Sequence, residues 1–144
     1  MTQVAIMYPV FVQVLLTILV YGALFVARAR AVRSMDRKRG TPDIAMGTVA
    51  WPDDAAKRAN NQRSQFELPV LFYAVVAFAL ILKGADTIMI VLAWLFVLTR
   101  LLHAAIHIGP NKVRWRFPAF AVGVLIIAIM WLKLFLHVLS AGLA

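Results

Sequence analysis

The chain has 144 residues, 63% of them hydrophobic, and a mean hydropathy of +0.86, whereas soluble proteins have about 45–50% apolar residues. One small domain cannot bury that much apolar surface, so the composition excludes an ordinary soluble protein and predicts that lipid surrounds much of the chain. The net charge of +9 lies mainly between the apolar runs, which favours lipid headgroups over nucleic acid, and the absence of cysteine excludes disulfides and a cysteine nucleophile.

The first apolar run, at about residues 4–27, is the first predicted membrane span. At about 1.5 Å per residue it forms roughly 36 Å of helix, enough to cross a bilayer with some tilt. Gln13 lies inside this run and is expected to form an interhelix hydrogen bond. A basic sequence begins at Arg28 and is typical of a stop-transfer flank. We predict a polar loop at about residues 28–62.

Three further spans are predicted at about residues 63–83, 87–108 and 117–139. Pro69 lies within the second span and is expected to kink it near its entrance, because proline removes a backbone donor and crowds the carbonyl of Gln65. We therefore predict an all-α protein, an integral membrane bundle of four transmembrane helices, with a single domain covering residues 1–144.

The charges of the connecting segments predict the orientation of the bundle. Lysine and arginine are concentrated in the segment between spans one and two and in the segment between spans three and four, whereas the remaining link carries only Lys83 and Asp86. The positive-inside rule then places both basic segments in the cytoplasm and both termini outside.

An antiparallel bundle brings the polar ends of all four spans to one membrane depth. The residues at that depth are Arg28, Arg63, Ser64, Glu67, Arg100, His103, His107 and Arg116. A charge inside a span costs about 2.5–3.5 kcal/mol at the helix centre on insertion scales, so this cluster needs an explanation. Arginines, histidines and one glutamate together suit a small anionic ligand that carries carboxylates and an amine.

Parts of this cluster also have simpler interpretations. Arg28 and Arg116 lie at span ends, where arginines commonly reach towards the headgroups. Glu67 is the only acidic residue within the spans and is expected to pair with Arg100 or Arg63, since an unpaired buried carboxylate would take up a proton. A Glu67–Arg100 pair that only fastens two helices is the structural alternative.

A metal site is the other alternative for the histidines. His103 and His107 are four residues apart and would face the same side of a helix. The nearest third ligand would be Glu67, and the surrounding guanidinium groups would repel a cation. We therefore expect no metal.

The second span resembles a motif of the MAPEG family, the membrane-associated proteins in eicosanoid and glutathione metabolism. The family's glutathione enzymes have approximately E-R-x-x-x-A-x-x-N-x-x-E, followed by proline and aromatic residues. The corresponding stretch here is AKRANNQRSQFELPVLFY. Glu67 matches the closing glutamate, and Arg63 matches an arginine present in some members. Ser64 occupies the asparagine position and Asn61 the alanine position.

The end of the third span is similar to the family's R-x-x-H-x-x-x-Y segment, which is followed by a loop arginine. The stretch here is RLLHAAIHIGPNKVRWR. Arg100 and His103 match, Arg116 falls at the loop arginine, and His107 replaces the tyrosine. Phe117 stands where prostaglandin E synthase-like members have a serine.

The resemblance implies a homotrimer in the bilayer, of the bacterial inner-membrane type, with glutathione bound between subunits. It implies a glutathione-dependent transferase or peroxidase that acts on a hydrophobic small-molecule substrate, either an electrophile or a lipid hydroperoxide. Arg116 and Arg28 would be the catalytic residues that stabilise the thiolate. The residues that would hold glutathione are Arg63, Ser64, Glu67, Arg100, His103 and His107.

Two other functions stay open at this point. A non-catalytic membrane protein of the same fold would bind a lipid or another anionic ligand. A small transporter or channel is disfavoured, because the sequence has no inverted repeat and no pair of broken spans.

Overall fold

The computed structural model describes residues 2–34, 50–109 and 113–142, and every element within them is helical. The helices are α1 (Thr2–Ala5), α2 (Met7–Ser34), α3 (Asp53–Ser64), α4 (Leu68–Ile81), α5 (Thr87–Ile108) and α6 (Val113–Gly142). The segments of the described chain that are long and apolar enough to cross a membrane are Met7–Ser34, Asp53–Ile81, Thr87–Ile108 and Arg114–Gly142. The prediction of an all-α bundle with four membrane-spanning segments is confirmed.

The helices extend further at the basic end than hydropathy predicted. α2 continues past Ala27 to Ser34, and α3 already begins at Asp53, so the prediction of a loop was wrong at both ends of 28–62. Alanine, arginine, lysine and glutamine are good helix formers, and hydropathy marks where lipid contact ends rather than where helical hydrogen bonding ends. Residues 35–49 of that segment lie outside the described residues.

The second span consists of two helices rather than one kinked helix. α3 ends at Ser64, and α4 begins at Leu68 with Pro69 in its first turn. Proline is tolerated there because the first backbone N–H groups of a helix have no intrahelical acceptor. The expected distortion near Pro69 is therefore present as a complete break, and Glu67 lies within it.

Several polar side chains lie inside the bundle, and many large apolar side chains lie on its outer surface. Arg100, His103 and His107 are 1%, 4% and 4% exposed, whereas Phe25 and Ile81 are 74% and 72% exposed. A bilayer solvates apolar surface and does not solvate charge, so this distribution suits lipid and would be unfavourable in water.

An apolar core joins α4, α5 and α6. Phe72 and Phe96 are completely buried, and their stacked rings have centroids 4.7 Å apart. α6 approaches α5 closely at Gly123, where a Cβ atom would lie 3.1 Å from Thr99 Oγ1. Small residues at such contacts let membrane helices pack tightly. The close contact holds the C-terminal part of α5 against the beginning of α6.

A buried hydrogen bond connects α2 to the break in the second span. Gln13 Nε2 donates to Gln65 Oε1 at 3.0 Å, and both side chains are buried. The expected interhelix hydrogen bond of Gln13 is confirmed. An amide without a partner is costly in hydrocarbon, so this bond favours one position of α2 relative to the break.

Asp86 fastens the opposite end of the bundle. Its carboxylate accepts a hydrogen bond from the backbone N–H of Met89 at 2.9 Å and one from Lys133 Nζ at 2.6 Å. His137 Nε2 lies 3.0 Å from the carbonyl oxygen of Leu82. Lys133 and His137 near the end of α6 therefore tie that helix to the link between α4 and α5.

We expect Asp86→Ala to lower the free energy of unfolding by about 1 kcal/mol, because removal of an N-cap side chain costs about 0.5–2 kcal/mol. Asp86→Asn keeps a capping oxygen and should lose less, since the ion pair is half exposed and screened by solvent. Partial burial acts to raise the pKa of Asp86, but the hydrogen bonds from Lys133 and Met89 outweigh it and lower the pKa.

The lowered pKa gives the sign of the pH dependence. A carboxyl group with a lower pKa in the folded state stabilises the fold above its unfolded pKa, and this contribution is lost as the pH falls through the folded pKa. Lowering the pH below about 4 should therefore destabilise the wild type more than Asp86→Asn, as measured by thermal unfolding in detergent. Equal acid sensitivity of the two proteins would contradict this role of Asp86.

Candidate functional site

A cavity of about 340 Å³ opens between the end of α3, the C-terminal part of α5 and the beginning of α6. Its lining residues are Asn60, Arg63, Ser64, Glu67, His103, His107, Arg116, Phe117 and Phe120. Most of the predicted site residues thus share one cavity, although they come from three helices and the break between α3 and α4. The exceptions are Arg100 and Arg28.

α5 presents its three ionisable residues to the same side of the bundle. Arg100, His103 and His107 are separated by three and four residues, the spacing that stacks side chains on one face of a helix. The rings of the two histidines have centroids 5.8 Å apart. His103 and His107 therefore form the inner wall of the cavity, and Arg100 lies buried beneath this wall.

Arg100 lies behind Ser64 and does not line the cavity. Its Nη2 donates to Ser64 Oγ at 2.7 Å and to the Ser64 carbonyl oxygen at 3.1 Å. Ser64 Oγ lies 3.5 Å from His103 Nε2. Because a guanidinium only donates, the serine hydroxyl accepts from Arg100 and its own hydrogen is available to His103. Arg100 thereby orients Ser64 and, through it, His103.

The predicted ion pair of Glu67 with Arg100 or Arg63 is wrong. The ion pairs within the described residues join Arg58 to Asp54 and Lys133 to Asp86. The end of α3 exposes the carbonyl and hydroxyl of Ser64 to Arg100, and these two acceptors take the position that an acidic partner would occupy. Glu67 and Arg63 are exposed at the cavity instead.

Arg116 is held at the lip of the cavity by a histidine. Its Nη1 lies 3.2 Å from His107 Nε2. Since arginine can only donate, this hydrogen bond uses the lone pair of Nε2 and requires the neutral tautomer of His107 with its hydrogen on Nδ1. Phe117 and Phe120 also line the cavity at this helix. A positioned guanidinium next to aromatic side chains suits an anion that reacts with an apolar partner.

Arg28 does not reach this cavity within one chain. Its guanidinium carbon lies 5.0 Å from the ring centroid of Trp51, a cation–π contact that joins the end of α2 to the segment preceding α3. Arg28 and Arg116, the two predicted catalytic residues, are therefore not brought together within a single chain.

Three lining residues, Asn60, Phe117 and Phe120, were not among the predicted site residues. Asn60 precedes Arg63 by three residues and so shares its helix face, which helical periodicity alone would have indicated. Phe120 had no comparable signal, because an aromatic residue in a membrane span looks the same whether it faces lipid, a core or a cavity.

A model of the MAPEG family matches residues 6–136 of the chain. The matched region includes every residue that lines the cavity. No curated protein and no solved structure gives a significant match. The family resemblance of the second and third spans is thereby confirmed.

Proposed function

The chain belongs to the MAPEG family, and from this premise we propose that it is a membrane-bound, glutathione-dependent transferase or peroxidase acting on hydrophobic electrophiles or lipid hydroperoxides. Membership establishes a multi-pass membrane protein of a family associated with glutathione and eicosanoid metabolism. The observation that carries the proposal is the cavity in which one carboxylate, two arginines and two histidines meet.

The charges of the cavity complement those of glutathione, which has two carboxylates, one ammonium group and one thiol. In this proposal Arg63, His103 and His107 hold the carboxylates or the peptide backbone, and Glu67 binds the ammonium group. His103 and His107 each have a buried Nδ1 atom without a hydrogen-bond partner in the described chain. Because these Nδ1 atoms are buried, a ligand in the cavity would contact the other atoms of the two rings.

Arg116 is the residue to which we assign thiol activation. A free thiol has a pKa near 8.5 and is mostly protonated at neutral pH. Lowering that pKa by about two units requires about 2.7 kcal/mol of additional thiolate stabilisation, which a desolvated guanidinium beside the sulfur can supply.

In the transferase reaction the thiolate attacks the electrophilic carbon, and the C–S bond forms as the bond from that carbon to the leaving group breaks. In the peroxidase reaction it attacks the terminal peroxide oxygen, the O–O bond breaks, and the alkoxide leaves and takes up a proton to become the alcohol. A second glutathione then converts the resulting sulfenic acid to glutathione disulfide and water.

A homotrimer would give Arg28 a role that a single chain does not. Arg28 lies on α2, away from the cavity of its own chain. In an assembly with the site between subunits, the arginine of one copy would approach the glutathione of another. We propose this arrangement, with the basic end of the bundle on the cytoplasmic side of the membrane.

A specific observation favours a second candidate function. Ser64, His107 and Phe117 stand at positions where the glutathione enzymes of the family have an asparagine, a tyrosine and, in some members, a serine. A non-catalytic member of the family that binds a lipid or another anion at this cavity is therefore the alternative.

Glutathione binding to the purified protein in detergent tests the proposal. We expect saturable calorimetric binding at millimolar or lower glutathione, together with ultraviolet absorbance of the thiolate at neutral pH. S-methylglutathione is the matched control, because it retains the charged groups and has no ionisable thiol. Binding without a thiolate signal would favour the alternative function, and no binding at millimolar glutathione would reject both the ligand and the activity.

A further inference from the structure

A second crevice lies between α2 and α3, apart from the proposed glutathione cavity. Its membrane-side part has a volume of about 250 Å³ and is lined by Gly22, Ala23, Val26, Ala27, Arg30 and Arg58. An adjoining cavity of about 210 Å³ shares Ala27 and Arg30 and continues past Ser34 to Pro52. The crevice therefore has an apolar part and a charged part, with Arg30 lining both of its cavities.

We propose that this crevice binds an anionic phospholipid, with the lipid phosphate at Arg30 and Arg58 and an acyl chain in the apolar part beside Gly22. The proposal is independent of glutathione chemistry, because none of the residues of this crevice lines the other cavity. It adds a lipid site to the basic end of the bundle.

The apolar part is open and has the right extent for an acyl chain. A Cβ atom at Gly22 would have no atom within 4 Å, so the groove is unfilled there. Ala23 and Val26 continue the same wall. Gly22 and Arg30 are two helical turns apart, about 12 Å along the axis. A phosphate at Arg30 would thus place the first part of its acyl chain alongside Gly22.

The charged part has cationic groups that the protein does not neutralise. Arg30 is exposed and forms no ion pair with the described residues. Arg58 contacts the carboxylate of Asp54 through Nε alone, at 3.1 and 3.2 Å, so its Nη groups are available. The two arginines and one aspartate leave a net positive charge at the mouth. Basic pockets between membrane helices are typical sites for anionic lipid headgroups.

The charge and the polarity of the crevice favour an anionic phospholipid over two other possible occupants. A second copy of the chain, with fifteen Lys and Arg against six Asp and Glu, offers few acidic side chains to neutralise the two arginines. A soluble phosphate would bind the arginines and leave the apolar groove unfilled. An anionic phospholipid complements both parts and is supplied by the surrounding membrane.

The first test compares two charge-removing substitutions on α2. Arg30→Gln removes the unpaired cation of the crevice, and Arg33→Gln removes the same charge from an exposed position that lines neither cavity. We expect phosphatidylglycerol in neutral detergent to raise the unfolding temperature of the wild type and of Arg33→Gln. The shift should fall to about half or less in Arg30→Gln. Phosphatidylcholine should give a much smaller shift in all three proteins.

The second test fills the apolar part. Gly22→Leu introduces a side chain into open space, and Gly142→Leu is the matched control because its Cβ would also meet nothing within 4 Å. We expect Gly22→Leu to lose the phosphatidylglycerol shift and to retain less lipid in native mass spectrometry, whereas Gly142→Leu should behave as the wild type. Glycerol phosphate, which has no acyl chain, should give a much smaller shift than phosphatidylglycerol.

Three results would overturn the proposal. Equal lipid shifts in Arg30→Gln and Arg33→Gln would exclude Arg30 as the headgroup site. An equal shift with glycerol phosphate would indicate a site for free phosphate. A changed oligomeric mass of Gly22→Leu with an unchanged lipid shift would assign the crevice to contact between copies.

Discussion

Replacement of Arg116 by glutamine is expected to lower glutathione turnover about 100-fold while changing glutathione affinity much less. The hydrogen bond from Arg116 Nη1 to His107 Nε2 at 3.2 Å holds the guanidinium at the lip of the cavity. A stabilisation of the thiolate by about 2.7 kcal/mol corresponds to two pKa units and to a factor of about 100. Glutamine retains a donor but loses the charge, so the substitution should remove the stabilisation of the thiolate.

The matched control for this substitution lies on the same helix. Arg114 is exposed, its guanidinium carbon lies 5.6 Å from the ring centroid of Trp115, and it does not line the cavity. Arg114→Gln therefore removes the same charge without reaching the thiol. Turnover, glutathione affinity and thiolate absorbance should be measured for both variants. Equal turnover in Arg116→Gln and the wild type would reject Arg116 as the activating group.

Substitution of Glu67 by glutamine is expected to weaken glutathione binding about 10- to 100-fold, because a hydrogen bond to a charged group contributes about 1.5–3 kcal/mol. Glu67 is exposed at the cavity and forms no ion pair with the described residues, so its carboxylate is available to the ammonium group of the ligand. The amide keeps the shape of the side chain and removes only its charge. Calorimetric titration measures the loss.

A ligand without the ammonium group distinguishes loss of the contact between Glu67 and the ammonium group from a general loss of structure in the variant. Glutathione lacking its α-amino group should bind Glu67→Gln and the wild type with similar affinity, because the charged pair is absent in both complexes. Asp53→Asn, an exposed substitution in the first turn of α3 that does not line the cavity, controls for the change in net charge. A similar loss for both ligands would exclude an ammonium contact.

The two substitutions also separate chemistry from binding. Loss of an interaction made only in the transition state lowers kcat, whereas loss of ground-state binding raises the dissociation constant. Arg116→Gln should show the first pattern and Glu67→Gln the second. If both variants lost only affinity, the cavity would be a binding site without thiol activation, which is the alternative function.

The location of most candidate residues was predictable because it depends on local geometry. A helix repeats every 3.6 residues, so the shared face of Arg100, His103 and His107 follows from their spacing. Antiparallel spans joined by short links bring the ends of neighbouring helices together, which places Ser64 and Arg116 near that face. The distortion near Pro69 likewise follows from the covalent structure of proline.

The partners of the charged side chains were not predictable in the same way. Arg100 was expected to bind Glu67 and instead binds Ser64, because the break after α3 presents a free carbonyl and a hydroxyl at that point. Arg28 was expected at a site between subunits, and within one chain it contacts Trp51. Each outcome depends on the direction in which a helix end points, which no spacing along one helix specifies.

The sequence by itself therefore determined that this is a multi-pass membrane protein, which segments are long and apolar enough to span a membrane, and which family the chain belongs to. These properties follow from transfer free energies and helical periodicity, which act over a few turns of one chain segment. Only the tertiary structure decided that Arg100 supports Ser64, that Glu67 lines the cavity, and that Arg28 lies away from the cavity of its own chain. Hydrogen-bond partners are separated by tens of residues and depend on distances of a few tenths of an ångström, so they emerge only when the helices pack.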